Sequence, residues 1–294
     1  MSQLEVRRAE ERDREAVLAF CSQTWEWGDY IDYVWDEWLH DENGVLFVAT
    51  MDGQPVGIAN MRMLNASEAW LEGMRVDPAH RQHGIANALF EAQITEALRR
   101  NALTARLITE STNTAAIRLI ERNHLRRVNA FAQFRASPLT TDTKRQYGLV
   151  SPSLATLADR DEIIDYLNVS NIFPAAGGLY NASFTAYSMT AALIEQKITA
   201  QQIYLLRRWD RLDGLAMVEP RDFREEKLLS IGYIDGTTES ISLLAYAMRK
   251  LLPDFGLKSI NADIPDLMMV RDAFTGAEYE SDGSIFYIYE RGLV

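Results

Sequence analysis

Apolar and polar residues alternate along the first half of the chain with two periods, one of two residues and one of about 3.6. The period of two predicts strands at 4–8, 45–50, 55–63, 69–76, 104–110 and 127–135. The longer period predicts helices at 12–23, 25–40, 84–100 and 113–122. Asp52-Gly53, between two strands, is typical of a hairpin turn. This mixture predicts an α/β (α+β) fold in which helices flank a mixed central β-sheet.

The second half repeats part of this order. Its pattern predicts strands at 228–235, 257–263 and 284–290, with helices at 239–252 and 267–274 between them. The same order of three strands and two helices runs from 69 to 135, so we predict a duplicated fold with a degenerate C-terminal copy. Two unrelated α/β domains that share an order are the alternative. The polar segment 137–153 is the predicted linker between domains 1–136 and 154–294.

Composition narrows the class of protein. The 294 residues carry a formal net charge of −12, which repels phosphate backbones and argues against a nucleic-acid partner. No apolar run is long enough for a membrane span, and the polar N-terminus is unlike a signal peptide. The lone Cys21 allows no internal disulfide, so we predict a cytoplasmic protein with a buried, inert thiol. No metal site and no oligomeric state are predicted.

The segment 76–86, V-D-P-A-H-R-Q-H-G-I-A, carries the first candidate chemistry. A strand ends there, Pro78 turns the chain, and Gly84 opens a long amphipathic helix. The first turn of a helix exposes unpaired N–H groups and the positive end of the helix dipole. Small residues at 84 and 86 allow an anion to approach that backbone, and Arg81 adds positive charge. The segment therefore predicts a cradle for a diphosphate.

Two motifs resemble the GNAT superfamily of acetyl-CoA-dependent N-acetyltransferases. R-Q-H-G-I-A at 81–86 resembles its R/Q-x-x-G-x-G/A signature, and N-T-A-A-I-R-L-I-E-R-N-H-L at 113–125 resembles a second family block. The resemblance covers residues 4–135 and implies acetyl-CoA as cosubstrate and no metal cofactor.

The resemblance also assigns roles to residues. Met74, Arg75 and Val76 would pair main-chain groups with the pantetheine arm, and Asn113 would bond that arm near the thioester. The residues expected to hold the diphosphate, mainly through main-chain N–H groups, are Arg81, Gln82, His83, Gly84, Ile85 and Ala86. For Asn113 a helix N-cap is a strong alternative.

Acetyl transfer to an amine requires removal of a proton from the nitrogen. Glu72 is the candidate catalytic base, because apolar Trp70 and Leu71 beside it favour a raised carboxyl pKa. Alternatively Glu72 binds a cationic acceptor or pairs with an arginine. Glu68 is a weaker candidate, predicted in an exposed turn. The resemblance places a proton-donating tyrosine at Ile120, which cannot donate, and leaves Tyr30 and Tyr33 as substitutes.

Helix 25–40 is expected to border the acceptor. Its apolar positions predict a core stripe, and its acids form either a solvated face or an acidic entrance that attracts an amine. The stripe is Ile31, Val34, Trp35 and Trp38, and the other face holds Asp29, Asp32, Tyr33 and Asp36. This helix and 71–78 resemble tandem acetyltransferases of the histidine N-acetyltransferase-like group, and G-G-L-Y-N at 177–181 resembles the start of their second copy.

That resemblance implies transfer to a primary amine of a small molecule, either a free amino acid or a small amine. A protein amine acetyltransferase and a non-catalytic acyl-CoA sensor are the alternatives. The acidic turn 235–240 argues against a second CoA site. Arg207, Arg208 and Arg211 predict a solvated turn or, alternatively, a site for an acceptor carboxylate.

Overall fold

A computed structural model describes residues 3–22, 24, 28–139, 151–223 and 226–293. The chain divides into two compact units. Unit 1 contains Met1–Ile108, Asn113–Arg126 and Tyr289–Val294, and unit 2 contains Thr109–Thr112 and Arg127–Ile288. Most of the predicted linker, 140–150, lies outside the described residues, so the predicted limits of 1–136 and 154–294 stay a prediction.

Unit 1 is built on an open sheet with helices on both faces. In chain order its elements are β1 (Leu4–Arg8), α1 (Arg14–Cys21), α2 (Ile31–His40), β2 (Gly44–Met51), β3 (Gln54–Met63), β4 (Glu68–Val76), α3 (Ile85–Arg99), β5 (Thr104–Glu110) and α4 (Thr114–Arg122). The strands follow the order β1-β2-β3-β4-β5, antiparallel up to β4 and parallel between β4 and β5. The last strand of the chain, β14 (Ile285–Gly292), is the next neighbour of β5, and its residues from Tyr289 onward belong to unit 1.

Because side chains alternate along each strand, the two faces of this sheet contact different helices. Val48 and Ile58 point to α1 and α2, where they join Val17, Ile31 and Trp35 in one buried cluster. Gly57 points the other way, and a Cβ there would meet Ile85 and Leu89 of α3. The sheet therefore separates an α1/α2 face from an α3 face, and the candidate base Glu72 must lie on one of them.

Unit 2 has the same kind of mixed sheet. Its further elements are β6 (Arg126–Ala136), β7 (Ser153–Leu154), α5 (Arg160–Val169), α6 (Ile172–Ala175), β8 (Leu179–Ala182), β9 (Thr185–Ser188), α7 (Ala191–Thr199), β10 (Ile203–Arg208), β11 (Arg211–Phe223), β12 (Glu226–Gly236), α8 (Thr238–Leu251), β13 (Ser259–Pro265) and α9 (Met268–Gly276). The sheet order is β14-β6-β13-β12-β11-β10-β7, with β8 and β9 as a separate hairpin. The predicted fold class, a mixed sheet flanked by helices, is confirmed.

Two local predictions were wrong. The helix predicted at 25–40 begins at Ile31, because Gly28 has a φ of 98° and Asp29 Oδ1 accepts hydrogen bonds from the N–H groups of Tyr30 and Ile31. Residues 25–27 of that prediction lie outside the described residues. Glu68 is buried on β4 instead of lying in an exposed turn.

Other predictions about the core are confirmed. Ile31, Trp35 and Trp38 are buried and Val34 packs against them. Cys21 is buried, and burial raises the pKa of its thiol to about 12, which makes the thiol inert. Among the residues that the structure describes, no helix has both the length and the apolar character that crossing a membrane requires.

Candidate functional site

Strand β4 carries a bulge at Gly73. The pairs of the β3–β4 ladder run from Asn60–Glu72 directly to Ile58–Arg75, so β4 has one residue more than β3 between these pairs. Gly73 has a φ of 68°, a left-handed conformation that glycine adopts without a Cβ penalty. Its α1/α2 side is filled by the indole of Trp38, which would lie 2.5 Å from a Cβ at that position. The bulge therefore bends β4 beside the candidate base.

The bend coincides with a separation of β4 from β5. The parallel ladder pairs Glu68 with Thr104 and ends at Trp70 and Arg106, although β4 continues to Val76 and β5 to Glu110. The part of β4 that is not paired with β5 contains Met74, Arg75 and Val76. Their main-chain groups on the β5 side can therefore pair with an extended ligand inserted between the strands.

The candidate cradle follows the end of β4. Gln82 and Gly84 both have left-handed φ values, 66° and 79°, and residues 81–84 are exposed. The helical ladder of α3 starts with Ala88 N–H donating to Gly84 O at 3.0 Å, so the N–H groups of 85–87 precede it. A Cβ at Gly84 would meet no atom within 4 Å. Open space thus lies in front of the positive end of a fifteen-residue helix.

Contacts between residues of the 77–83 loop stabilise its shape. Asp77 Oδ1 accepts from Ala79 N–H at 2.9 Å, and Asp77 Oδ2 lies 3.0 Å from His80 Nδ1. His83 Nδ1 lies 2.8 Å from Arg81 O. Ile85 is buried under the sheet, so only its main chain can face a ligand. The loop is therefore held in shape by its own residues, and Arg81 within it is exposed.

The second motif adopts the capping geometry that was its alternative interpretation. Asn113 is the N-cap of α4, and its Oδ1 accepts from Ala116 N–H at 3.1 Å. The amide Nδ2 of the same exposed side chain can still donate to a ligand. Ile120 is buried in the core, so this position supplies no proton.

Glu72 lies on the α1/α2 face, where two side chains contact the same carboxylate oxygen. Asn60 Nδ2 donates to Glu72 Oε1 at 3.0 Å, and Arg62 Nε lies 3.1 Å from that atom. The other oxygen, Oε2, takes part in neither contact. Burial raises the pKa of the Glu72 carboxyl above its ordinary value, Glu37 raises it further, and Arg62 and Asn60 act against this. Both of the earlier interpretations, a raised pKa and a pairing arginine, are thus present in one side chain.

A buried ion pair fixes the chain between α1 and α2 against β4. Arg75 Nε lies 2.7 Å from Asp29 Oδ2, and its Nη1 donates to Met74 O at 2.9 Å. The Arg75 guanidinium also lies over the Tyr30 ring, 5.2 Å from its centroid, and Tyr30 packs edge-on against Trp38. These contacts place Tyr30 and Trp38 beside the bulge.

The acids expected at an entrance are occupied by arginines. Asp29 is bound to Arg75, and Arg14 contacts both Asp32 and Asp36 on an exposed surface. Tyr33 is 76% exposed, so it cannot replace the missing donor from a buried position. The solvated-face interpretation therefore fits Asp32 and Asp36.

Sequence reasoning missed the partners of Glu72. Asn60 and Arg62 are two residues apart on β3, and this spacing puts them on one face. That signal was present in the sequence, but the pairing register with Glu72 was not. Within the described part of the chain, no group of three or more histidine, cysteine or acidic side chains has an arrangement that could hold a metal ion.

In unit 2, two of the three arginines considered for an acceptor carboxylate, Arg207 and Arg208, are engaged in ion pairs. Arg207 Nη2 lies 2.7 Å from Asp159 Oδ1 and also contacts Glu162. Arg208 contacts Asp213 and Glu239.

Comparison with known proteins identifies the fold. The sequence profile of the Acetyltransferase (GNAT) family matches residues 10–124. A GCN5-related N-acetyltransferase from Sphaerobacter thermophilus has 12% identity and a TM-score of 0.64. The match covers 99% of this chain and 96% of the Sphaerobacter chain. A Thermoplasma acidophilum protein with a provisional acetyltransferase assignment has 16% identity and a TM-score of 0.61, with coverage of 98% and 99%.

A third solved structure is similar over both halves. It is a tandem GNAT protein from the clavulanic acid biosynthesis pathway, with 11% identity, a TM-score of 0.52 and coverage of 99% of each chain. At such low identities these structures establish the fold alone. A search of curated proteins gives no significant match.

Proposed function

We propose, on the premise that residues 10–124 of this chain are a GNAT acetyltransferase domain, that the protein is a cytoplasmic N-acetyltransferase acting on a primary amine of a small molecule. In the reaction the amine nitrogen attacks the thioester carbonyl of acetyl-CoA. The new C–N bond forms, the C–S bond breaks, the amine proton leaves to a base, and the CoA thiolate takes a proton from water. The observation that carries this proposal is the juxtaposition of the β4–β5 gap, the α3 N-terminus and Glu72.

The residues at two places of the candidate site suit acetyl-CoA. The N–H groups of 85–87 and the exposed Arg81 would bind the diphosphate, because a helix N-terminus with open space before it favours an anion. Met74 and Val76 would pair with the pantetheine arm in the gap between β4 and β5. Asn113 Nδ2 would donate to the same arm.

The acceptor would approach Glu72 from the α1/α2 face. A base for an amine works best when its pKa lies nearer the working pH than that of an ordinary glutamate. Burial shifts the pKa of Glu72 in that direction. The side chain is 17% exposed, so it is reachable while largely shielded from water.

Glu72→Gln tests the role of the carboxylate. This variant keeps the shape but cannot accept the proton, so kcat for thiol release from acetyl-CoA should fall by about 10²–10⁴-fold while CoA affinity is kept. A base acts only when deprotonated, so the parent rate should fall as pH drops through the raised pKa of Glu72. This acidic limb should be missing in the variant.

Glu37→Gln is the matched control. Glu37 raises the pKa of Glu72, so its removal should move the acidic limb to lower pH and leave it intact. If Glu72→Gln raises KM with kcat and the limb unchanged, Glu72 only binds the acceptor. If a panel of amino acids, polyamines and other small amines releases no thiol in the parent, a protein acceptor or an acyl-CoA sensor replaces the present proposal, and the buried Ile120 would favour the sensor.

A further inference from the structure

The charges around Glu72 constrain what kind of amine can bind there. Arg62 Nε lies 3.1 Å from Glu72 Oε1, and the Arg62 side chain is 29% exposed. We infer that Arg62 is a specificity residue that binds a carboxylate carried by the acceptor next to its amine, so that the acceptor is a free amino acid bound as a zwitterion. This inference rests on the proposed function and deepens it.

The strand register fixes the two groups side by side. Asn60 pairs directly with Glu72, and Arg62 pairs with Trp70, one step along the same face. Arg62 therefore reaches Glu72 diagonally across the β3–β4 pair, and Asn60 holds the same carboxylate oxygen at 3.0 Å. Any ammonium group that reaches Glu72 must come close to the Arg62 guanidinium.

This neighbour discriminates between classes of amine. A simple monocationic amine at Glu72 would meet a like charge at close range, which weakens its binding. An amino acid places a carboxylate one carbon from its ammonium group, so each charge of the protein pair meets an opposite charge. Glu37 on α2 adds a negative charge near Glu72. This charge repels the acceptor's carboxylate, so Glu37 is not its partner.

Arg75, a second arginine near the bulge, does not suit this role. Its guanidinium is bound by Asp29 through two contacts, at 2.7 and 3.3 Å, and its Nη1 donates to Met74 O. Its side chain is half as exposed as that of Arg62, at 16%. Arg62 instead contacts Glu72, the carboxylate that the acceptor itself would engage. A guanidinium has five N–H donors, so it can face Glu72 and a substrate carboxylate together.

The test compares matched acceptors that differ only in the carboxylate. Thiol release from acetyl-CoA is measured for phenylalanine against phenethylamine, histidine against histamine, and lysine against cadaverine, with the full chain. The parent should prefer the amino acid of at least one pair. In Arg62→Met, the ratio of kcat/KM between amino acid and amine should fall by about 10- to 100-fold, through KM, because a charged hydrogen bond is lost. Arg62→Lys should restore part of the ratio.

The ratio cancels any general effect of the substitution on Glu72 or on folding. Arg14→Met is the control, because Arg14 pairs with Asp32 and Asp36 on the exposed surface, and it should leave the ratio unchanged. A parent that prefers the amine in every pair, or an unchanged ratio in Arg62→Met, overturns the inference while the proposed function stands. Absence of thiol release with every acceptor overturns the proposed function and the inference with it.

Discussion

Gly73 and Trp38 determine the local path of β4. Glycine is required at this position twice over, by a φ of 68° and by the indole that occupies the place of a Cβ. Trp38 is itself buried between α2 and the sheet, so it has little room to move. The bulge, and through it the separation of β4 from β5, is thus maintained by packing between one glycine and one tryptophan.

Gly73→Ala should therefore cost more stability than the backbone conformation alone. The left-handed conformation costs about 1–2 kcal/mol for alanine, and the clash with Trp38 adds about 1–3 kcal/mol of overpacking. Gly84→Ala is the control, because Gly84 has a similar φ of 79° with no atom within 4 Å of a Cβ. Urea denaturation of both variants measures the difference in the free energy of unfolding. Equal losses would show that Trp38 yields without cost.

At the residue level, only the features fixed by local sequence could be located before the structure was known. The glycine before α3 and the acid before the bulge could be located because motif spacing fixes them. The pairs Arg62–Glu72 and Asp29–Arg75 could not, because they depend on strand register and on the chain path between α1 and α2. The bulge shifts that register by one residue, and a one-residue shift changes the face on which a side chain lies.

At the scale of elements, a buried charge triad joins three strands of unit 1. Arg106 on β5 lies 3.2 Å from Glu68 on β4 and 2.5 Å from Glu290 on β14. The Arg106 and Glu68 side chains are almost fully buried. Glu290 comes from the last residues of the chain, which shows that the sheet of unit 1 depends on a strand distant in sequence.

Arg106→Met should destabilise unit 1 by about 3–5 kcal/mol, because it leaves the Glu68 carboxylate buried without its counter-charge. The double variant Arg106→Met/Glu68→Met should recover most of this loss, since the only carboxylate that then lacks Arg106 is that of Glu290, which is partly exposed. Chemical denaturation followed by circular dichroism gives both values. If the double variant is no more stable than the single one, the loss comes from packing instead of charge.

Element boundaries were predicted well where the apolar period was long. The predicted strand 104–110 coincides with β5, and the predicted helix 84–100 differs from α3 by one residue at each end. No element was predicted between 154 and 227, where the structure has the helices α5 and α7, the long strand β11 and the short strands β8 and β9 of four residues each. Four residues are too few to establish a period, and both strands are largely buried, so polar residues do not alternate with apolar ones.

At the scale of the molecule, unit 2 repeats the bulge of unit 1 with different chemistry. The β11–β12 register shifts by one residue at Gly232, whose Cβ position is occupied by the Tyr180 ring and the Asn181 carbonyl. The β12–β13 ladder ends at Ile231 and Ala262. Ile231 precedes Gly232 and pairs with Val218, as Glu72 precedes Gly73 and pairs with Asn60, so an apolar side chain lies at the position of the candidate base. Unit 2 therefore has a similar bulge without a carboxylate at this position.

The N-terminus of α8, the helix that follows β12, is closed to an anion. The side chain of Thr237 accepts from Ser240 N–H at 3.1 Å and so caps α8. Asp235 accepts hydrogen bonds from Ser170 and Tyr233, and burial raises the pKa of its carboxyl. In unit 1 the corresponding cap is Gly84, which has no side chain and leaves its helix terminus open.

This difference predicts one CoA per chain. Isothermal titration of the parent with CoA should give a stoichiometry of one, because the N–H groups of α8 are capped and acids surround them.

Gly84→Glu should weaken binding by more than about 100-fold, since its carboxylate would occupy the diphosphate position and repel the ligand. Gly84→Ala, which adds no charge, should lose far less affinity, and unchanged circular dichroism would show that both variants are folded. Two CoA per chain in the parent would assign a second site to unit 2, and unchanged affinity in folded Gly84→Glu would remove the diphosphate from the N-terminus of α3.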